Sequence, residues 1–424
     1  MSGWSGYGLL SAATAVLLAT TPLACPTAHA RDDVLNILTS CDHEDPELLR
    51  PFEKENAVQV HFRDIDTVES VMSIIRQAQP GDWDLVATDE AELMPMARNG
   101  MLMALDPADF PTTGIPAAVA DPQAGSFDGH LYAVPEKFGY FAIAFDQAKV
   151  SAQALSDINE IWKPQYQGRV AIYDSWLPVL SYLALALGRD PASLSDADLP
   201  ALQAKLVALK ANAAVVGDMA TVQQALADGQ VDIVVGGGAW TTAGIGHDGA
   251  VQKGQPAPAG SPDSDGDDDS DDAPPLPPGA HPATQPDAAS AGASATAATP
   301  APVAAPAPAP VLSAHPTLTY LIPHQGALRW QQAVSILSSS QRRDMALRFA
   351  KYLRTPQAQA HLATSSCYWG MPADMRTPLD PTIRAALHWD EQPAQIAATR
   401  MLPQLSADMN QKLQAMWTSV MQAP

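Results

Sequence analysis

From Val34 onward, short apolar runs alternate with stretches of helical periodicity, and this alternation limits the chain to a layered arrangement of strands and helices. Val34-Leu35-Asn36-Ile37-Leu38 reads as a buried strand, and a helix is expected to follow it. Asp45 is placed to cap that helix, Pro46 suits its first turn, and Leu48, Leu49 and Phe52 share one face, while Pro51 is expected to kink it. Val58–Phe62 reads as the next strand, Val68–Ala78 as a helix and Asp84–Ala87 as a further strand. Successive βαβ units imply a mainly parallel, doubly wound sheet, which takes ligands at the carboxyl ends of its strands. That rule puts Ser40 to His43 and Thr88 to Glu90 on the expected ligand edge.

A second α/β unit is expected after a pair of strands around Tyr132–Pro135 and Phe141–Phe145. It comprises a strand at Val170–Tyr173, a helix through Leu187, a helix around Leu199–Leu209 and a strand at Val231–Val235. Gly236, Gly237 and Gly238 are expected to make a tight turn after that strand, serving either close backbone approach to a ligand or plain turn geometry. Neither GxGxxG nor a Lys followed by Ser or Thr accompanies them, so no phosphate fingerprint is read there. Residues from about 252 to 316 differ in kind, with Pro-Ala repeats and an Asp-rich block, and too little apolar surface to offset the entropy of ordering. They are expected to form a disordered insert. A strand is expected at Thr317–Pro323, followed by the apolar run Ala333–Leu337 and an amphipathic helix over Arg342–Leu353 with Met345, Leu347, Phe349 and Leu353 mostly inward.

The first 30 residues carry no charged side chain and end on Ala28-His29-Ala30, the small-x-small pattern of a cleaved signal peptide. Leu23-Ala24-Cys25 leaves a lipid anchor open as the alternative. Export places Cys41 and Cys367 in an oxidising compartment, where they either form a disulfide or stay as two separate thiols. No later segment reaches the roughly 20 apolar residues of a membrane helix. The net charge of -22 argues against a nucleic-acid surface and suits a cationic small molecule, although acidity also serves solubility alone.

Leu155 to Val170, with Trp162-Lys163-Pro164-Gln165-Tyr166-Gln167-Gly168-Arg169-Val170, resembles the W-x-P-x-Y-x-G-x-V stretch of the periplasmic spermidine/putrescine-binding proteins of ABC importers. Trp83-Asp84-Leu85-Val86, Tyr132-Ala133-Val134-Pro135 with Phe138-Gly139, Ile322-Pro323 ahead of Trp330, and Ala350–Ala358 follow in the same order. The resemblance implies the type II periplasmic-binding fold, two doubly wound α/β lobes joined by crossover strands. Lobe one would take residues 31–138 and 331–366, and lobe two 139–251, 317–330 and 367–424, with 252–316 as an insert. It further implies a monomer that closes on a small ligand and delivers it to an inner-membrane ABC permease, with no cofactor and no catalytic step.

A polyamine site needs carboxylates for ammonium groups and aromatic faces for the methylene stem. On this basis the candidate ligand residues are Ser40, Asp42, His43, Asp89, Glu90, Asp174, Trp176, Trp240, Trp330 and Gln332. The match to the family's cage thins here: Pro178 stands where an amine-binding glutamate is expected, and Gln332 replaces the acid that follows Trp330. Each carboxylate is also consistent with a helix cap or a solvated rim charge, and each Trp with core packing. Cys41 and His43 on one loop are poor geometry for nucleophilic catalysis, and the histidines and cysteines do not resemble a zinc set. The rival to transport is a sensory or scaffolding role with a non-polyamine ligand.

Overall fold

The computed structural model describes residues 34–39, 43, 45–65, 68–121, 124–243, 316–364 and 369–423, with residues 68–70 as backbone only. The expected signal peptide, the disulfide pair Cys41 and Cys367, and most of the 252–316 insert lie outside the described residues.

The described residues begin with β1 (Val34–Thr39), α1 (Pro46–Asn56), β2 (Gln59–Asp64), α2 (Val68–Gln77), β3 (Leu85–Asp89) and α3 (Glu90–Arg98). Asp45 caps α1 by accepting from the Glu47 N–H at 2.8 Å, and Pro51 is held inside the helix without ending it. Leu48, Leu49 and Phe52 are the buried side chains of α1, and Phe52 meets Phe349 edge-on at 4.9 Å. β1 pairs in parallel with both β2 and β3. One face of these strands packs against α1 and the later helices around Phe349 and Leu362, and the other against Val71, Leu93 and Met96. A doubly wound sheet follows from that two-sided burial.

A two-stranded hairpin, β4 (Ser126–Phe127) and β5 (His130–Leu131), precedes β6 (Val134–Asp146). The expected pair of strands at 132–135 and 141–145 is therefore corrected to one continuous strand of 13 residues. Both sheet regions claim a part of it, because its first half pairs with one set of neighbours and its second half with another. Next come α4 (Ala152–Leu155), β7 (Val170–Tyr173), α5 (Trp176–Ala186), α6 (Leu199–Asn212), β8 (Ala213–Gly217), α7 (Met219–Ala227), β9 (Ile233–Gly237) and α8 (Ala239–Thr242). The strand expected at 231–235 is thus shifted to 233–237, and the three glycines form no tight turn. Gly236 has φ +84 at the bulge where β9 meets Ala142 and Ile143 of β6, and Gly237 and Gly238 press so close to β6 that a Cβ would strike Ala144 or the Tyr140 carbonyl.

From residue 316 on come β10 (Leu318–Leu321), β11 (Ala327–Ile336), α9 (Arg343–Tyr352), α10 (Pro356–Ala363), β12 (Met371–Pro372), α11 (Pro381–Ala386), α12 (Gln392–Ala397), β13 (Thr399–Met401) and α13 (Ala407–Gln422). In α9 the buried side chains are Ala346, Phe349 and Ala350, while Met345 and Leu347 are only partly covered. The strand order is β2-β1-β3-β11-β6-β9-β7-β8. β11 pairs antiparallel with β3 and with β6, and β6 carries the pairing on to β9. These two strands are the crossovers between two α/β regions. The second region is covered by α5, α6 and α13 on one face and by α7, α8 and the segment around Trp389 and Ile396 on the other.

Candidate functional site

Strand register decides where a ligand could sit. β3 ends at Asp89 opposite Gln332 of β11, and it points along β11 toward the second region. β9 ends at Gly237 opposite Ala142 of β6, and it points back toward the first region. The carboxyl ends of β1 and β3 therefore face those of β7 and β9, across the crossover segments 138–141 of β6 and 328–331 of β11. This is the edge at which open α/β sheets take ligands.

On the first edge, His43 is fully buried: Thr39 Oγ1 lies 2.7 Å from its Nδ1, and Glu136 Oε1 lies 3.3 Å from its Nε2. Glu136 Oε2 accepts from Gln332 Nε2 at 3.1 Å. Asp89 caps α3 through the Ala91 N–H at 3.0 Å, and its half-buried carboxyl is pushed up to about 6 by desolvation, which outweighs that bond. Glu90, 2% exposed, accepts from Gln331 Nε2 at 2.6 Å. Desolvation and then the charges of Asp89 and Asp121 push its carboxyl up to about 8, so it is largely protonated at neutral pH. Ser40 and Asp42 lie outside the described residues.

Between the edges, the Trp330 indole lies over Gly139 and Gly370, positions where a side chain would collide with the ring. On the opposite face of the ribbon, Arg329 is buried and donates to the Ala118 carbonyl at 2.6 Å, and Tyr140 donates to Gln392 Oε1 at 2.7 Å. Desolvation, and next the neighbouring Tyr320, raise the Tyr140 hydroxyl far above the usual phenol range.

The second edge is aromatic. Tyr173, the last residue of β7, stacks on Phe141 at 6.1 Å and touches Trp240 at 5.2 Å. Trp240 is 1% exposed, and its indole N–H has no hydrogen-bond partner among the described residues. Asp174 is exposed and accepts from Trp417 Nε1 at 3.0 Å through Oδ1. Trp176, half-buried, opens α5 and packs toward the core of the second region.

His43, Asp89, Glu90, Trp330 and Gln332 thus gather on one side of the gap or on its floor, and Asp174, Trp176 and Trp240 on the other. Glu136, Gln331, Phe141 and Tyr173 share these positions without having been singled out from sequence. Tyr173 ends a predicted strand, so the carboxyl-edge rule applied to that strand is the signal that could have found it. Glu136 carried no such signal, since its placement depends on a bulge. Among the described residues no group of three or more His, Cys, Asp or Glu side chains is arranged to hold a metal ion, and no helix is long and apolar enough to cross a membrane.

Comparison with known proteins agrees with this architecture. The spermidine/putrescine-binding periplasmic protein 1 of Haemophilus influenzae is 25% identical over 211 residues, which cover 47% of this chain and 58% of that relative, so the match spans less than two thirds of its length. The solved spermidine/putrescine ABC transporter substrate-binding protein of Streptococcus pneumoniae superposes with a TM-score of 0.65 at 15% identity, covering 92% of this chain and 98% of that one. A binding protein from A. tumefaciens B6, solved with glucopine, gives a TM-score of 0.55 at 15% identity and covers 91% of this chain and 99% of its own. These likenesses carry the fold, two α/β lobes of the type II periplasmic-binding kind. The sequence pattern of the bacterial extracellular solute-binding proteins matches residues 47–388, most of the chain, and the protein belongs to that family.

Proposed function

We propose that the protein is the substrate-capturing component of an ABC importer, a periplasmic monomer that closes on a small amine-bearing cation and presents it to an inner-membrane permease. The observation that carries this reading is the pairing of two facing edges, each with a carboxylate that keeps an oxygen uncommitted among the bonds described. Asp89 Oδ1 is engaged with the Ala91 N–H and Asp174 Oδ1 with Trp417, which leaves Oδ2 of each for an ammonium group. Tyr173, next to Asp174 in the chain, and Phe141, stacked on it, are partly exposed rings that offer apolar surface to a methylene stem. The polyamine names of two of the relatives support the ligand class.

In this reading the lobe boundaries are those of the sequence resemblance, and β6 and β11 are the hinge. Ligand held by both edges binds the closed arrangement better and shifts the population toward it. No bond is made or broken, so neither a cofactor nor a nucleophile enters. The glucopine complex of a structural neighbour favours, as a second reading, a ligand that is not a polyamine. A thermal-shift screen at constant ionic strength with putrescine, spermidine, amino acids and small anions separates the two. A ligand at about 100 times its dissociation constant adds about 2.7 kcal/mol of stability. The largest shift is expected from a diamine or polyamine, and no response to any amine would end the amine reading.

A further inference from the structure

Two successive glutamines on β11, on opposite faces of the strand, each donate to a buried glutamate: Gln331 to Glu90 at 2.6 Å and Gln332 to Glu136 at 3.1 Å. The second pair is part of a longer chain. With Glu136 ionised, a neutral His43 satisfies both of its contacts only with the proton on Nε2. Thr39 Oγ1 then donates to Nδ1 at 2.7 Å, and Nε2 donates to Glu136 Oε1 at 3.3 Å. Thr39, His43, Glu136 and Gln332 are all at most 1% exposed. Each bond links a different pair of segments: the end of β1, His43 four residues further on, β6 and β11.

Glu136 also holds a special place in the backbone. The β6–β11 register shifts between Gln332 and Ala333, which face Lys137 and Pro135, so Glu136 is the extra residue of a bulge. Its carbonyl accepts from the Ala373 N–H at 2.9 Å, fastening the same point to the segment after β12. A strand is easiest to bend at a bulge, where ladder bonds are missing. Here the bulged side chain spans the bend and ties both crossover strands to the ligand edge of the first region. Arg354 feels the charge of Glu136, and Asp374 and Arg376 act in turn on Arg354, while Lys137, the next residue in β6, donates to the Leu362 carbonyl.

We propose that Glu136 is a positioning residue that latches the hinge. Its carboxylate holds His43 and Gln332 together, so β6, β11 and the end of β1 move as one body, and bending is confined to the segments nearer the second region. The consequence for capture rests on the closure reading above, but the latch itself can be tested without any ligand.

Hydrogen exchange followed by mass spectrometry on the full chain, ligand-free, compares the parent protein with Glu136→Gln. The amide variant keeps the volume but cannot accept from both donors. Exchange over Val134–Phe141 and Ala327–Gln332 is expected to rise about tenfold, the scale of one lost charge-assisted bond, while Leu199–Asn212 and Ala407–Gln422 stay as they were. A uniform rise across the chain, or none at all, would overturn the latch. If Glu136→Gln does not fold, Gln332→Leu removes one donor and leaves the charge; unchanged exchange over the crossovers in that variant overturns the proposal equally. Where both fold, the double variant should exceed neither single by more than about twofold, because both act through one group. Multiplying effects would mean that no such coupling exists. A parallel putrescine melt of the parent protein reports on amine capture alone, so a flat melt with selective exchange rejects the ligand and keeps the latch.

Discussion

The two facing edges solve the problem of polar groups near a ligand in opposite ways. The first buries two of its three acids and satisfies them internally, Glu90 on Gln331 and Glu136 on His43 and Gln332, and leaves only Asp89 half-buried. The second keeps Asp174 in water and buries rings instead, with Trp240 1% exposed and its N–H unpaired. Burying a carboxyl is costly unless donors compensate, and the first edge has them because two glutamines of a crossover strand point at it from either face. The first edge is therefore set before any ligand arrives. The second offers apolar faces and a solvated charge, which adapt more readily.

The largest test of this contrast is Trp240→Ala, expected to cost about 3–5 kcal/mol in urea denaturation, since the second edge stands on packing. Trp240→Phe should cost far less, because no hydrogen bond of the indole N–H is lost. A loss as large for Phe as for Ala would show that the edge depends on polarity after all.

Next in size is Glu90→Gln. The Glu90 carboxyl is pushed from 4.5 up to about 8, so the native state binds its proton more tightly than the unfolded chain does. Its contribution is complete below about pH 4.5 and is lost as pH climbs through about 8. The parent protein should thus lose on the order of 4 kcal/mol from this group between pH 4.5 and 9, and the variant should show a flatter profile over that window. Equal slopes would place Glu90 in a wetter setting than its burial indicates.

The smallest effect on the fold is expected at Asp174. Asp174→Asn should leave stability within about 0.5 kcal/mol, because the side chain is exposed, yet weaken putrescine binding about tenfold in calorimetry. Stability lost without any change in binding would reverse the roles assigned to the two edges.

Much of the fold was legible because its signals are local. Asp45 and Pro46 announce α1, and Val170-Ala171-Ile172-Tyr173 is read and observed as the same four-residue strand. Where the reading departed from the structure, the cause is non-local. β8 (Ala213–Gly217) was not singled out, since Ala-Ala-Val-Val-Gly after a long helix shows neither alternation nor a strong apolar run. The site is legible to a lesser degree: the rule of carboxyl edges picks out the positions of Asp89 and Glu90, and the family resemblance that of Asp174, but neither tells which of them is sealed.

By itself, the sequence determined the alternation of strand and helix, the caps, and the edge at which the strands end, because periodicity and capping act over a few residues. Only tertiary structure decided that 134–146 is one strand serving two regions, that the glycines at 236–238 allow close approach to β6, and that Glu136 meets His43 and Gln332. Those outcomes depend on pairing between segments up to about 200 residues apart, where the energy of a side chain is set by neighbours that no local pattern can name.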